Sequence, residues 1–283
     1  MKRLLLFLLS YGLVSVLAAC SKPETVHTQN AQPPARVVKG DATIVDELLD
    51  KAGVNALITY LPTNVMKTTD DYLRRGIVQV DEVRNILNET YNPSALRTVV
   101  RAHLIDNLKE EQVKEMLSWL DTDLGKKVTA LEVVGADPKK IHNILSQYHQ
   151  LQNNQARVSM VHDLEVATGS AEQMIDMSLT LERSLQLALN QLLPESNQVS
   201  EAEFISREQE QRPQLQQRFN QYAEAIALYN YQNLNDDELN KYISFSQSNA
   251  SQAYRREVSA ALQKAVSSAG KKASLKIAAL NAG

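Results

Sequence analysis

Residues 107–119, NLKEEQVKEMLSW, and residues 233–245, NLNDDELNKYISF, are two versions of one pattern. Asn, Leu and Ser are identical at equivalent places, and acidic residues precede the first apolar position in both. Apolar residues recur three and four positions apart, which is the spacing of one buried face of an α-helix. The two stretches therefore predict one amphipathic helix that occurs twice.

A second pair of segments extends this repeat toward the amino terminus. Residues 45–53 resemble residues 161–169, in the same order but at an offset ten residues shorter. The difference predicts an insertion of about ten residues in the second copy, around residues 194–200. The alternative is that two amphipathic helices resemble each other by chance. We expect two tandem helical modules, over residues 41–136 and 137–283, each near the size of a small domain.

Composition and helix start signals favour an all-α fold of roughly eight to ten helices. The 283 residues include only nine glycines and eight prolines, and the net charge is −3. Asn235 followed by Glu238 has the spacing of a capping box. Asn92 and Asp137 each precede a proline, which suits the first turn of a helix. The predicted core stripes contain Val113, Met116, Leu117, Leu120, Leu124, Val128 and Leu131 in the first copy. In the second they contain Leu239, Tyr242, Ile243, Ala250, Ala253, Tyr254, Val258, Ala261, Leu262 and Ala265.

The amino terminus has the features of a cleavable signal peptide. Lys2 and Arg3 precede an apolar run that ends in Leu17-Ala18-Ala19-Cys20. The run is shorter than the ~20 apolar residues that a spanning helix needs, and its ending resembles the bacterial lipobox. We therefore predict a signal over residues 1–19, cleavage between Ala19 and Cys20, and lipidation of Cys20, the single cysteine. The alternative is an ordinary secretory signal with a chance cysteine.

The segment that follows predicts a tether and a location. Residues 20–40 are polar, include three prolines and show no helical period. As a flexible chain they would span roughly 25 Å. Ser21, rather than Asp, follows the cysteine. By resemblance to enterobacterial sorting rules, this indicates the inner leaflet of the outer membrane, facing the periplasm, with the inner membrane as the alternative.

Each half resembles the bacterial helical family catalogued as domain of unknown function number two-zero-five-nine. Its recognisable stretch runs from a capped acidic start, through an aromatic, to a Ser-Pro-x-Gly-like corner and a basic residue. The matching positions in the first copy are Glu110, Glu111, Val113, Trp119, Thr122, Asp123, Gly125, Lys126 and Lys127. Those in the second are Asp236, Asp237, Glu238, Leu239, Phe245, Ser248 and Asn249. Both copies lack the proline, and Ser251 stands where the pattern has glycine. The resemblance implies an all-α envelope protein and no particular activity.

Motifs for catalysis or cofactors are not recognisable in the sequence, so we expect no catalytic residue, cofactor or metal. His142 and His149 are seven positions apart, about 10.5 Å along a helix, which is too far to share one ion. The Gly-Lys pairs lack the glycine and hydroxyl of a phosphate loop. Paired acids fall at predicted helix starts, where negative charge stabilises the helix. The net negative charge gives no indication of a basic surface that would bind nucleic acid.

Two features could contact a partner. Trp119 and Phe245 hold equivalent positions, with Tyr242 nearby in sequence; they could line a binding groove or simply pack in the core. The end of the chain, from Gly270, carries lysines among apolar residues and could lie on anionic lipid or form an ordinary terminal helix. The expected function is a non-enzymatic lipoprotein that binds an envelope protein or acts as a scaffold. The alternatives are a carrier or chaperone for a small hydrophobic ligand and an envelope hydrolase.

Overall fold

The computed structural model describes the backbone of residues 42–73 and 79–281 and the side chains of residues 42–70 and 79–280. This part of the chain is all-α, as predicted, and contains no strand. Its helices are α1 (Ala42–Lys51), α2 (Val54–Leu73), α3 (Val80–Thr90), α4 (Pro93–Asn107), α5 (Glu110–Leu120), α6 (Asp123–Gly135), α7 (Ile141–Leu151), α8 (Gln155–Thr168), α9 (Ser170–Asn190), α10 (Glu201–Tyr231), α11 (Asp236–Ser246) and α12 (Asn249–Asn281). Twelve helices exceed the expected eight to ten because tight turns divide several helical stretches.

Equivalent turns join α1 to α2 in the first half and α8 to α9 in the second. Gly53 lies between α1 and α2 with φ of 71°, and Gly169 lies between α8 and α9 with φ of 60°. A side chain disfavours this left-handed conformation, so glycine allows both turns. Val45 and Val161, which are equivalent in the sequence repeat, are both buried. The helix boundaries therefore follow the sequence repeat in this region.

The later helices of the two halves also correspond. The helices α5 and α11 each contain 11 residues. The Thr122 hydroxyl accepts a hydrogen bond from Gly125 N at 2.9 Å, and the Ser248 hydroxyl accepts one from Ser251 N at 3.2 Å. These two bonds cap the starts of α6 and α12 at equivalent positions. The corner keeps its hydrogen bond although Ser251 replaces glycine in the second copy.

The predicted caps are mostly confirmed. Asn235 and Glu238 form a reciprocal capping box, and the Asn92 side chain accepts from Ala95 N at 2.9 Å with Pro93 at the first helical position. Asp137 instead caps a single 3₁₀ turn, Pro138–Lys140, that leads into α7. A second 3₁₀ turn, Glu195–Asn197, lies within the predicted insertion between α9 and α10.

One hydrophobic core contains helices from both halves of the chain. The predicted core stripes are confirmed, since every position in them is buried or partly buried. The larger cluster joins buried residues of α1–α5 to buried residues of α9 and α12, including Leu104, Leu185 and Ala265. All the described helices belong to one compact unit. The sequence did not settle whether the two modules share a core, and in the structure they do.

The two halves interlock through their last helices. The helix α6, which ends the first half, packs against α10 of the second. The helix α12, which ends the second half, packs along α4 and α5 of the first as well as along α9 of its own half. The boundary between residues 136 and 137 therefore remains a predicted boundary between sequence repeats. Helices on the two sides of this sequence boundary pack directly against each other.

A smaller hydrophobic cluster lies where α6, α8, α10 and α11 meet. Its buried members are Val128, Leu164, Tyr231, Leu234, Leu239, Tyr242 and Ile243. Trp119 and Phe245 pack against both this cluster and the larger core, so the two clusters are continuous at these aromatic rings. Among the described helices, none is both long enough and apolar enough to cross a membrane.

Candidate functional site

Trp119 and Phe245 stack on each other at the junction of the two halves. Their ring centroids are 4.2 Å apart and their planes differ by 8°. Trp119 lies at the end of α5, and Phe245 lies at the equivalent position of α11. Both rings are partly buried. Equivalent residues of the two copies therefore contact each other directly.

Tyr242 lies one helical turn before Phe245 and joins this cluster. Its ring centroid is 6.2 Å from that of Trp119 and 5.5 Å from that of Tyr231. Tyr242 is only 2% exposed, so its ring faces the interior. The three residues predicted as possible contacts are thus brought together. They contact each other, and the ring faces that form the stack are unavailable to a partner.

The hydroxyl of Tyr242 connects an acidic and a basic side chain that belong to different helices. It donates a hydrogen bond to Oε1 of Glu132 at 2.5 Å and accepts one from Nη2 of Arg255 at 2.8 Å. Tyr231 donates a second hydrogen bond to the same Glu132 oxygen at 2.7 Å. We call these four residues the tyrosine network. It links α6 of the first half to α10, α11 and α12 of the second.

Arg255 is held by neutral oxygen atoms. Besides the Tyr242 hydroxyl, its Nε contacts the Ser251 hydroxyl at 3.3 Å and its Nη2 contacts the Ser246 hydroxyl at 3.4 Å. The guanidinium carbon also lies 5.9 Å from the centre of the Tyr242 ring. Arg255 forms no direct ion pair with a carboxylate of the described residues; Glu132 balances its charge from the far side of the tyrosine hydroxyl. The bridging hydroxyl therefore stabilises both charges.

The pKa shifts fit a structural rather than a catalytic role for the tyrosine network. Burial, followed by the nearby Glu132 carboxylate, raises the pKa of Tyr242 to about 12. Burial and Glu132 raise the pKa of Tyr231 in the same direction. For Arg255, burial alone would lower the pKa, but Tyr242 and Glu132 outweigh it and raise the pKa above the usual value. Near neutral pH both phenols stay protonated, so neither is poised as a general base.

A groove runs beside the tyrosine network, between the α8–α9 turn and the first half of α12. Its volume is about 550 Å³ and it is open to solvent. Arg255 and Arg256 line one wall, and Gly169 and Asp176 line the other. Asp176 is already paired with Arg212, with 2.7 Å between their atoms. The lining mixes polar and apolar surface: amide, hydroxyl and charged side chains lie beside the exposed side chain of Val166.

The four histidines that the structure describes do not assemble into a metal site. No group of three or more potential ligands occurs among the described residues. His103 instead pairs with Glu257 on α12, with 3.1 Å between Nε2 and Oε2. His142 and His149 lie on α7, where the His149 ring is 6.0 Å from the ring of Tyr148. The predicted cleavage and lipidation site, Ala19 and Cys20, lies outside the described residues.

Sequence reasoning missed Glu132 and Arg255. Both are charged residues that directly follow a predicted core position, Leu131 and Tyr254, in an otherwise regular apolar stripe. That placement is a usable signal, because a charge beside a buried stripe needs a partner. The partner could not be identified, since the two residues are far apart in the chain and belong to different copies.

Comparisons with known proteins contribute no further assignment. Neither the protein-family models, nor the curated proteins, nor the solved structures compared with this chain gave a match.

Proposed function

We propose that this chain is a lipoprotein of the outer membrane whose helical body faces the periplasm and binds an envelope protein, without catalysing a reaction. The observation that carries the proposal is the sequence Leu17-Ala18-Ala19-Cys20 after a short apolar run. Two or three acyl chains on that cysteine would hold the chain on a bilayer. The polar segment over residues 20–40 would then connect the helical body to the lipid surface as a tether, and α1 begins at Ala42, close after it.

The chemistry of the body supports a binding or scaffold role. The polar groups that converge in the tyrosine network are engaged with one another, and the pKa of Tyr242 lies near 12. A catalytic acid or base usually has its pKa near the working pH. The network instead ties four helices together. A rigid, interlocked body of this kind suits the presentation of a fixed surface to a partner.

The alternative role, as a carrier of a small hydrophobic ligand, fits the structure less well. Sites for such ligands are concave and mostly apolar. The groove beside α12 is open and carries the guanidinium groups of Arg255 and Arg256 and the carboxylate of Asp176. An apolar molecule bound there would have to cover charged groups without giving them hydrogen bonds, which is unfavourable.

The lipid anchor is tested by changing one atom of the side chain. In cells fed a labelled fatty acid, we expect the wild-type chain to carry the label and to fractionate with the outer membrane. Cys20→Ser removes the sulfur that would be acylated. The fatty-acid label should therefore be lost, and the chain should no longer fractionate with the outer membrane. A wild-type chain without label would overturn the proposal.

Sorting and partner binding need separate measurements. Ser21→Asp should move the acylated chain to the inner membrane if the enterobacterial sorting rule applies, and Ser21→Thr is the matched control. For the partner, a photo-crosslinking residue placed at exposed sites of the body should capture the same envelope protein reproducibly from intact cells. Failure to capture a protein, together with a lipid that copurifies with the chain, would favour the carrier alternative.

A further inference from the structure

The second half of α12 has a face that is rich in lysine. From Ser259 to Asn281 this helix contains four lysines and no acidic residue. Lys264, Lys271, Lys272 and Lys276 are all exposed. At 100° per residue they share one side of the helix with Leu275 and Ala279. We call these six residues the basic face. From Lys264 to Lys276 it extends about 18 Å, since each residue adds 1.5 Å.

The basic face is the uncovered side of a helix whose other side is buried. Val266, Ala269, Ala273 and Ile277 are at most 4% exposed and pack in the larger core. Leu275 is 75% exposed, in the middle of the lysines. Core packing therefore fixes the helix and its orientation, and Leu275 and the lysines are displayed outward on a rigid support.

Most of the positive charge on this face is not neutralised by the protein. Lys276 pairs with Glu89 of α3. Lys264, Lys271 and Lys272 form no ion pair with any residue that the structure describes. A surface of this type, with lysines around an exposed leucine, matches an anionic bilayer. The ammonium groups reach the lipid phosphates while the leucine enters the acyl boundary.

We infer that the basic face of α12 docks on the anionic lipid surface of the membrane that holds the chain. This inference rests on the proposed lipid anchor, because the anchor keeps the body close enough for weak contacts to matter. Each lysine near an anionic surface strengthens docking by about fivefold. Neutralising Lys264, Lys271 and Lys272 should therefore reduce the docked population on the order of 100-fold relative to the undocked one.

The test uses the acylated full chain reconstituted in vesicles, with an environment-sensitive fluorophore on an introduced cysteine. Ala279→Cys reports from the basic face, and Val166→Cys reports from the groove, where the native side chain is 74% exposed. Vesicles contain phosphatidylcholine alone or a 3:1 mixture with phosphatidylglycerol. In the mixture we expect a blue shift at position 279, quenching by a lipid-borne quencher, and neither change at position 166. Because salt shortens the Debye length to ~3 Å at 1 M, the effect should disappear there.

Variants with the same change of net charge distinguish an effect of the basic face from an effect of the net charge of the protein. Lys264→Gln, Lys271→Gln and Lys272→Gln together should abolish the response at position 279. Lys126→Gln, Lys139→Gln and Lys241→Gln change the net charge equally at exposed sites elsewhere and should leave it intact. Equal responses at positions 279 and 166, or a response that survives the first triple variant, would overturn the inference. The inference would also be overturned if the probe at position 279 showed no blue shift with vesicles and shifted only when an acidic protein partner was added. Failure of the anchor itself would show differently, as a chain that does not float with the vesicles.

Discussion

Replacing Tyr242 by Phe tests the tyrosine network most directly. The change removes one oxygen atom and keeps the ring that packs against Trp119 and Tyr231. That oxygen donates to the Glu132 carboxylate at 2.5 Å and accepts from the Arg255 guanidinium at 2.8 Å. Without it, Glu132 keeps only the hydrogen bond from Tyr231, and Arg255 keeps two longer contacts to serine hydroxyls.

The expected magnitude follows from the number of charge-assisted bonds. A hydrogen bond to a charged group contributes about 1.5–3 kcal/mol. Tyr242→Phe removes two such bonds, so we expect the free energy of unfolding to fall by about 3–6 kcal/mol. Tyr231→Phe removes only the bond to Glu132, at 2.7 Å, and should cost about 1.5–3 kcal/mol, or half as much. The two variants are matched because both delete one phenolic oxygen that bonds to the same carboxylate.

Urea unfolding of the purified full chain, followed by far-UV circular dichroism, measures the difference. The slope of the free energy against urea should stay constant, so that the shift of the midpoint reports stability. In a double-mutant cycle, Arg255→Met should cost much less in the Tyr242→Phe background than in the wild type. A cost for Tyr231→Phe equal to or above that for Tyr242→Phe would contradict the bridging role. Additive costs for Arg255→Met and Tyr242→Phe would also contradict it.

Three further outcomes can be measured by the same unfolding experiments. Gly53→Ala should lower the free energy of unfolding more than Gly169→Ala does. A methyl group at Gly53 would lie 2.5 Å from a side-chain carbon of Val133, whereas one at Gly169 would meet nothing within 4 Å. Both variants should also lose about 1 kcal/mol because alanine disfavours the positive φ. Because burial raises the pKa of Tyr242 from 10.0 to about 12, the stability present below pH 10 should decline as the pH rises toward 12. This decline should be smaller in Tyr242→Phe, and an unchanged pH profile would contradict the assignment. Leu104→Ala, in the larger core where Leu104 is fully buried, should cost about 2–5 kcal/mol, and a cost below about 1 kcal/mol would show that the site is less tightly packed than described.

Local features of the fold could be predicted from the sequence because they depend on nearby residues. Helix periodicity identified the buried stripe from Val113 to Leu131, and spacing alone identified the capping box of Asn235 and Glu238. The number of helices was underestimated because turns such as the one at Gly53 interrupt the chain for only two residues. A single glycine within an apolar pattern gives little indication that a helix ends there.

Long-range features could not be predicted in the same way. The repeat predicted two similar modules, but similarity says nothing about which module a helix packs against. The packing of α12 on α4, and of α6 on α10, depends on complementary surfaces that are far apart in sequence. The same limit applies to the site. Trp119, Phe245 and Tyr242 were recognised by residue type and position. Glu132 and Arg255 could not be, because their role depends on contacts with Tyr242 that bring α6 and α12 together.

The packing of α12 against helices of the first half also constrains when the chain can fold. The core around α1–α5 includes residues of α12, which ends at Asn281 of a 283-residue chain. A nascent chain therefore lacks part of this hydrophobic core until α12 has been synthesised, and its native contacts span long sequence separations that slow folding. If the chain crosses a membrane as an extended thread, as the proposed signal peptide would require, this delay disfavours collapse of the core before export, and the helical body assembles only after α12 has crossed.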